Sequence, residues 1–164
     1  HFPAISWLRS YSLYLEQLGD YFSEEIGEGF LVDRGRAMEI LQKEDELQEI
    51  VRLIGIDALS QEEWLLLQTA RSLREDFLHQ NAFDDVDTYS SLGKQALMLR
   101  LILLAHDSSL KRLEAGEPME GLLDDPARER IARVKYVPEE EFAEAYKAIA
   151  EEILRGTDQP AAGG

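Results

Sequence analysis

Several residue types are scarce or missing from this chain of 164 residues, and each gap excludes a class of function. There is no cysteine, which excludes disulfides, thiol catalysis and zinc sites built on cysteine. The three histidines, His1, His79 and His106, lack the paired spacing of zinc ligands. The longest apolar runs, such as residues 101–105, fall far short of the roughly 20 residues that span a bilayer. We therefore predict no metal site and no direct insertion into a membrane.

Basic residues are scarce as well. The chain has 17 Lys and Arg and 33 Asp and Glu, which gives a formal net charge of −16. Binding nucleic acid requires clustered Lys and Arg that neutralise phosphates, and the sequence has no such cluster. The same charge disfavours an anionic membrane surface, whereas it would attract a basic protein partner. Solubility alone also explains an acidic surface. The charge thus predicts no nucleic acid among the partners.

Motifs for catalysis are absent too. Residues 93–95 read Gly-Lys-Gln, with Thr88 where the first glycine of a phosphate-binding loop would stand and no Ser or Thr after the lysine. Residues 106–108 contain the residue types of a hydrolytic triad, but adjacent positions on a helix point in different directions. We predict no catalytic residue in this chain and no phosphoryl transfer by the chain alone.

The centre of the chain predicts a helix hairpin. A one-sided apolar stripe, composed of Ile40, Leu47, Ile50, Val51 and Ile54, stops at Gly55, a common residue at the C-terminal end of a helix. Ser60 then precedes a second stripe, composed of Leu66, Ala70, Leu73 and Phe77. Its hydroxyl can accept a hydrogen bond from the backbone amide of Glu62 or Glu63. Two helices joined by so short a turn run antiparallel with their stripes in contact.

Further helices complete the predicted fold. A third long helix is predicted from Leu92 to Ala115, a short one from Pro126 through Val134, and a last one after Pro138. No hairpin pattern of alternating apolar residues is present. The predicted fold class is all-α, a compact helical bundle built on antiparallel helix hairpins, with a short extended N-terminal segment.

The domain organisation follows from these patterns. We predict an exit segment at 1–10, a helical bundle at 11–155, beginning with a helix from Tyr11 to Phe22, and a flexible tail at 156–164. Because the chain begins with His1 and enters an apolar segment at once, we expect it to be a piece of a longer protein.

Four separated stretches carry a family resemblance. They read ELQEIVRLIG at 46–55, DALSQEE at 57–63, ARSLREDFL at 70–78 and QNAFDDVDTY at 80–89. In this order they resemble the C-terminal helical domain of the catalytic A subunit, or alpha subunit, of V-type and A-type rotary ATPases and ATP synthases. The opening HFPAISWLRSYSLY resembles the segment by which such a chain leaves its nucleotide-binding domain. The resemblance extends from His1 to about Arg155.

The resemblance implies a function within a larger machine. The parent subunit would hydrolyse or make ATP in a process coupled to proton or sodium transport, whereas the fragment alone would not be an enzyme. ATP or ADP and Mg would bind the parent subunit, with no cofactor in this fragment. The implied partners are the B subunits and the central stalk subunits. The implied location is cytoplasmic, in the soluble head at the periphery of the membrane.

The turn between the two hairpin helices is the candidate contact with the rotor shaft. Its residues occupy the place of the acidic DELSEED motif of F-type catalytic subunits, although Ala58 and Gln61 replace two of that motif's acids. The implied contact residues are Asp57, Leu59, Ser60, Gln61, Glu62 and Glu63. An ordinary capped turn is the alternative interpretation, and the two are compatible.

A second set of residues is implied to lie next to the adenine of the nucleotide. The set comprises Phe2, Gln80, Ala82 and Phe83. In the family, the aromatic before the Pro-Ala pair stacks on adenine, which nominates Phe2. The alternatives are that Phe2 anchors the chain to a neighbouring domain and that Phe83 packs under its own loop.

Three other hypotheses compete with this interpretation. The first is a free-standing acidic helical adaptor that binds a basic partner helix. The second is a small hydrolase that uses carboxylates, which abundant acidic pairs neither support nor exclude. The third is the non-catalytic B subunit, but residues 80–89 resemble the A subunit more closely.

Overall fold

The computed structural model describes residues 29–78 and 92–158, and within these ranges the chain is helical and has no strand. The helices are α1 (Gly29–Leu53), α2 (Gln61–Ser72), α3 (Leu92–Glu114), α4 (Met119–Leu123), α5 (Pro126–Val134) and α6 (Glu139–Asp158). A 3₁₀ turn, Ile56–Ala58, lies between α1 and α2, and a π-helical segment, Leu73–Leu78, continues α2. The predicted all-α bundle is confirmed. The exit segment and the helix predicted from Tyr11 lie outside the described residues.

Helices α1 and α2 form the predicted hairpin. The interface buries Ala37, Leu41 and Leu47 from α1 together with Ala70 and Leu73 after the turn. Glu44 in α1 pairs with Arg74 in the π-helical segment, and the two lie at similar distances along the chain from the turn. This pairing is the register that an antiparallel hairpin requires.

Helix α3 is the centre of the bundle. Leu99, Leu101 and Leu103 are fully buried, and α3 contacts α1, α2, α5 and α6. It ends in two backbone hydrogen bonds, from Glu117 N to Arg112 O at 2.9 Å and from Gly116 N to Leu113 O at 3.0 Å. These bonds form a Schellman motif, which requires the positive φ of Gly116 (94°).

Two ion pairs fix α1 against α3. Arg36 binds Asp107 through two hydrogen bonds, of 3.0 and 2.6 Å, and Arg100 binds the buried Asp33 at 3.3 Å. Asp33 precedes Arg36 in α1, and their partners Arg100 and Asp107 follow in the same order in α3. The two helices therefore run in the same general direction.

Helix α6 also lies along α3 in the same direction. Lys94 Nζ lies 5.4 Å from the ring centroid of Phe142, and fourteen residues later along α3 the Ser108 hydroxyl bonds that of Thr157. Phe142, Ile149 and Ile153 face inward, as their spacing predicts. The short helices α4 and α5 make this parallel pairing possible because they carry the chain back to the start of α3. Helix α6 itself continues to Asp158, beyond the predicted end of the bundle at 155.

A second, smaller apolar cluster lies where α2 begins. Leu65, Met119 and Leu122 are buried there, and Trp64, Leu110, Leu113 and Leu123 pack against them. This cluster joins the start of α2 to α4 and to the end of α3, so it anchors the base of the hairpin turn.

None of the described helices has both the length and the apolar character needed to cross a bilayer.

Candidate functional site

The turn between α1 and α2 is well bonded along its backbone. After α1, Ile54 N donates to Ile50 O at 2.9 Å, and Gly55 adopts φ 114° and ψ 163°, a conformation that side chains strongly disfavour. The 3₁₀ turn follows, with Ala58 N bonded to Gly55 O at 3.2 Å and Leu59 N to Ile56 O at 3.1 Å. The predicted stop at Gly55 therefore corresponds to a defined change of chain direction.

Ser60 caps α2 as the sequence predicts. Its hydroxyl oxygen accepts from Glu63 N at 3.1 Å, and the Glu63 carboxylate accepts from Ser60 N at 3.0 Å, which completes a capping box. The sequence left two possible donors to the Ser60 hydroxyl, the amides of Glu62 and Glu63, and the amide of Glu63 makes the bond. The carboxylate of Glu63 is thereby engaged inside the turn.

The six predicted contact residues lie together on this turn but differ in exposure. Asp57, Ser60, Gln61 and Glu62 are exposed, whereas Leu59 and Glu63 are half-buried. Within residues 29–78 and 92–158, the carboxylates of Asp57 and Glu62 form no ion pair, so both are available to a partner. Just before the turn, Arg52 is occupied by Glu49 at 2.5 Å.

Sequence reasoning missed the apolar residues that flank this turn. Leu53 is 77% exposed, Ile54 is 76% exposed and Ile56 is 47% exposed. The assignment of Ile54 to the buried stripe was wrong. A partial signal was available, because Leu53 points about 100° away from Ile54 on a helix and lies off the stripe, but nothing local marks Ile54 itself as exposed.

The physical reason for this exposure is that α1 is longer than the helix beside it. From the Arg36–Asp107 pair, α3 continues for only seven residues, to Glu114, whereas α1 continues for seventeen, to Leu53. At about 1.5 Å per residue, α1 is therefore roughly 15 Å longer than α3 beyond this pair, whereas the start of α2 lies level with the end of α3, where Leu65 packs with Leu110 and Leu113. We call residues 53–63 the hairpin tip. The tip is an exposed surface, both apolar and acidic, at the end of the hairpin.

The second predicted set, Phe2, Gln80, Ala82 and Phe83, lies outside the described residues, so its role next to adenine stays a prediction. Among the residues that are described, no group of three or more His, Asp or Glu side chains is placed to hold a metal ion.

A family model described as the C-terminal domain of V and A type ATP synthase matches residues 20–122, which include the whole hairpin and α3.

Three similar proteins, each named V-type ATP synthase alpha chain, extend the match. That of Acetivibrio thermocellus is 52% identical over 153 residues, which is 93% of this chain and 26% of the relative. That of Clostridium botulinum (strain Hall) is 50% identical over 159 residues, or 97% and 27%. That of Thermoanaerobacter pseudethanolicus is 50% identical over 155 residues, or 94% and 26%. The chain thus spans about a quarter of the length of the curated relatives it matches.

Proposed function

This chain belongs to the family of C-terminal domains of V- and A-type ATP synthases, and from that membership we propose that it acts as the lever of a catalytic alpha subunit. In this role it carries the closure of a nucleotide-binding domain to a central rotor shaft. The hairpin tip would press on the shaft during ATP hydrolysis, and the shaft would drive the same coupling backwards during synthesis.

The exposed apolar surface at the end of the paired helices α1 and α2 is the observation that carries this proposal. A lever needs a stiff arm, and the arm here consists of two paired helices with a bonded turn at the end. It also needs a surface to push with, and the tip exposes Leu53, Ile54 and Ile56 beside Asp57 and Glu62. Exposed apolar groups that are close together are typical of protein contact sites.

The connection to the nucleotide is the second element of the proposal. Helix α2 and its π-helical extension lead from the tip to Leu78, two residues before Gln80. We propose that Gln80, Ala82 and Phe83, with Phe2, complete the adenine pocket of the parent subunit. A shift at the adenine would then be transmitted along α2 to the tip, because a packed helix moves as a unit.

The parent machine supplies the chemistry. The proposal assigns ATP or ADP and Mg to the nucleotide-binding domain of the alpha subunit, and proton or sodium transport to the assembly as a whole. The proposed partners are B subunits and central stalk subunits in the peripheral, cytoplasmic head. This chain would contribute mechanical coupling and a wall of the adenine pocket.

Replacing the apolar part of the tip in the intact ATPase tests the lever. The variant carries Leu53→Ser, Ile54→Ser and Ile56→Ser, and the measurements are ATP hydrolysis and ions transported per ATP. We expect hydrolysis to continue while transport per ATP falls several-fold, because the shaft loses its contact.

A matched control replaces two exposed apolar residues away from the tip, Val32→Ser and Tyr136→Ser, which are 62% and 77% exposed. We expect the control to couple normally. Equal transport per ATP in the tip variant and the control would refute the lever.

A free-standing acidic adaptor is now the weaker hypothesis. In each of the three relatives described above, the matching region is only 26% or 27% of a longer chain. The acidic surface is therefore more simply explained as the exterior of one domain in a larger assembly.

A further inference from the structure

A cavity of about 180 Å³ lies between α2, α3 and α5, away from the hairpin tip. Its lining includes Thr69, Ser72, His106, Arg128 and Ile131. Most of the residues that line it are polar or charged. Neither the lever nor the adenine pocket makes use of it.

Arg128 is the charged group that lacks a partner in this cavity. Within the described ranges its guanidinium forms no hydrogen bond and no ion pair. Burial lowers the pKa of Arg128. The carboxylates of Asp125 and Asp76 oppose this shift by electrostatic attraction, without a hydrogen bond to the guanidinium. The Asp125 carboxylate is already engaged, by Arg112 at 2.5 Å and by Ala127 N at 2.9 Å. A partly buried guanidinium without a partner carries a desolvation penalty that a bound anion would remove.

The acids on the cavity wall are already occupied by other groups. Arg71 binds Glu75 at 3.0 Å. Ser72 Oγ donates to Asp76 at 2.9 Å, and Lys135 Nζ lies 3.5 Å from the same carboxylate. Among the lining residues, Arg71 and Arg128 balance Glu75 and Asp76 in charge, but both acids are bonded to groups other than Arg128.

His106 adds a neutral donor to the same cavity wall as Arg128. The residue is 7% exposed, and its Nδ1 lies 2.6 Å from Thr69 Oγ1. Burial lowers the pKa of His106, which keeps the ring uncharged at neutral pH. When the Thr69 hydroxyl donates to Nδ1, the ring proton resides on Nε2, which has no other partner among the described residues.

We propose that this cavity binds a small oxyanion, held by the guanidinium of Arg128 and by a hydrogen bond from Nε2 of His106. A guanidinium offers two parallel N–H groups that match two oxygens of a phosphate or a carboxylate. The volume suits a small inorganic or carboxylate ion and is below the roughly 300 Å³ at which pockets for larger ligands begin. A nucleotide is therefore not the ligand of this site.

Titration of the ¹⁵N-labelled 164-residue chain with inorganic phosphate tests the site. Chloride keeps the ionic strength constant, so that a general salt effect does not imitate binding. We expect saturable shifts of the backbone amides of Thr69, His106 and Arg128. Arg128→Gln should weaken phosphate binding at least about tenfold, because the charged contact is lost. Absence of saturable shifts in the unmodified chain overturns the proposal.

Arg133→Gln is the matched control. Arg133 lies on the same helix, is 75% exposed and binds Glu129, so its loss removes the same charge without touching the cavity. We expect its phosphate affinity to equal that of the unmodified chain. An equal loss of affinity in Arg128→Gln and Arg133→Gln would show that net charge alone is responsible and would refute the site.

Arg128→Lys keeps the proposal testable if Arg128→Gln fails to fold. Lysine retains the charge but not the paired N–H groups. We expect a folded protein with an affinity between those of the unmodified chain and Arg128→Gln, or a clear loss against the unmodified chain if the glutamine variant cannot be measured. An affinity unchanged in Arg128→Lys contradicts the paired contact.

Discussion

Glu44 and Arg74 meet across the interface between α1 and the end of α2, with Glu44 Oε1 3.3 Å from Arg74 Nε. Gln48 donates to the same oxygen at 3.3 Å, whereas Glu44 Oε2 and Arg74 Nε have no hydrogen-bond partner within residues 29–78 and 92–158. The Glu44 side chain is 5% exposed and that of Arg74 is 40% exposed. A carboxylate is thus buried inside the hairpin with an incomplete set of hydrogen bonds, and its counter-charge reaches solvent.

Removing only one member of this pair is predicted to destabilise the fold. Arg74→Met should lower the free energy of unfolding by about 1–3 kcal/mol, because the buried carboxylate loses its counter-charge. The double variant Glu44→Leu, Arg74→Met should recover most of this loss, since leucine suits a face that already buries Leu41 and Leu47. Urea unfolding of both variants and of the unmodified chain measures the difference. A double variant no more stable than Arg74→Met would contradict this account.

The stability of the chain should also depend on pH through Glu44. Burial raises the pKa of Glu44 above its ordinary value of 4.5. Between 4.5 and the higher pKa of the folded state, the folded chain binds more protons than the unfolded chain, so stability falls as the pH rises. We expect the stability of the unmodified chain, relative to Glu44→Gln, to decrease as the pH rises from 4.5.

Asp33 provides an independent test of the same effect. Burial raises its pKa from 3.8, although Arg100 and Arg36 oppose the shift. Relative to Asp33→Asn, the unmodified chain should lose stability as the pH rises from 3.8. Unfolding free energies at several pH values measure both trends. A difference that grows with pH would mean that the ion pairs outweigh burial.

The sequence predicted those features of the fold that have local causes. The cap at Ser60, the helix end at Gly116 and the helix start at Pro126 each depend on a few neighbouring residues. The family resemblance supplied the position of the candidate contact turn, which periodicity alone would have described as a capped turn.

Features that depend on how helices meet were not predicted. In sequence, Glu44 stands beside Asp45 and Glu46, a charged stretch typical of a solvated face, yet it is buried against Arg74, thirty positions away. Ile54 continues a helical stripe in sequence, yet it is exposed because α3 ends before α1 does. The pattern of apolar residues in one helix does not show how long that helix is relative to the helix it packs against. The adenine residues stay predictions, since they lie outside the described ranges.

Two glycines in and after α1 should respond to alanine in opposite ways. Gly55→Ala should cost about 1–3 kcal/mol, because φ of 114° with ψ of 163° is nearly restricted to glycine. Gly35→Ala should stabilise the chain by about 0.5–1 kcal/mol, since Gly35 lies inside α1 and an added Cβ would meet no atom within 4 Å. Thermal and urea unfolding measure both changes. Stabilisation by both substitutions would show that the turn relaxes away from its positive φ.

The capping box is predicted to control the rigidity of the tip. Ser60→Ala removes the acceptor of Glu63 N and should cost about 1 kcal/mol. Because the loss is confined to the first turn of α2, amide exchange should accelerate roughly fivefold at the bonded amides of Glu63 and Trp64 and remain unchanged in α3. Hydrogen exchange of the 164-residue chain measures this distribution.

Gln61→Ala is the control for the cap, because Gln61 is exposed on the same turn and its side chain forms no hydrogen bond within the described ranges. It should leave the exchange of the Glu63 and Trp64 amides unchanged. If the lever is correct, Ser60→Ala in the intact ATPase should also reduce the ions transported per ATP, because a frayed turn yields before it can push the shaft. Normal coupling despite accelerated exchange at the tip would show that the force passes through the paired helices without requiring the cap.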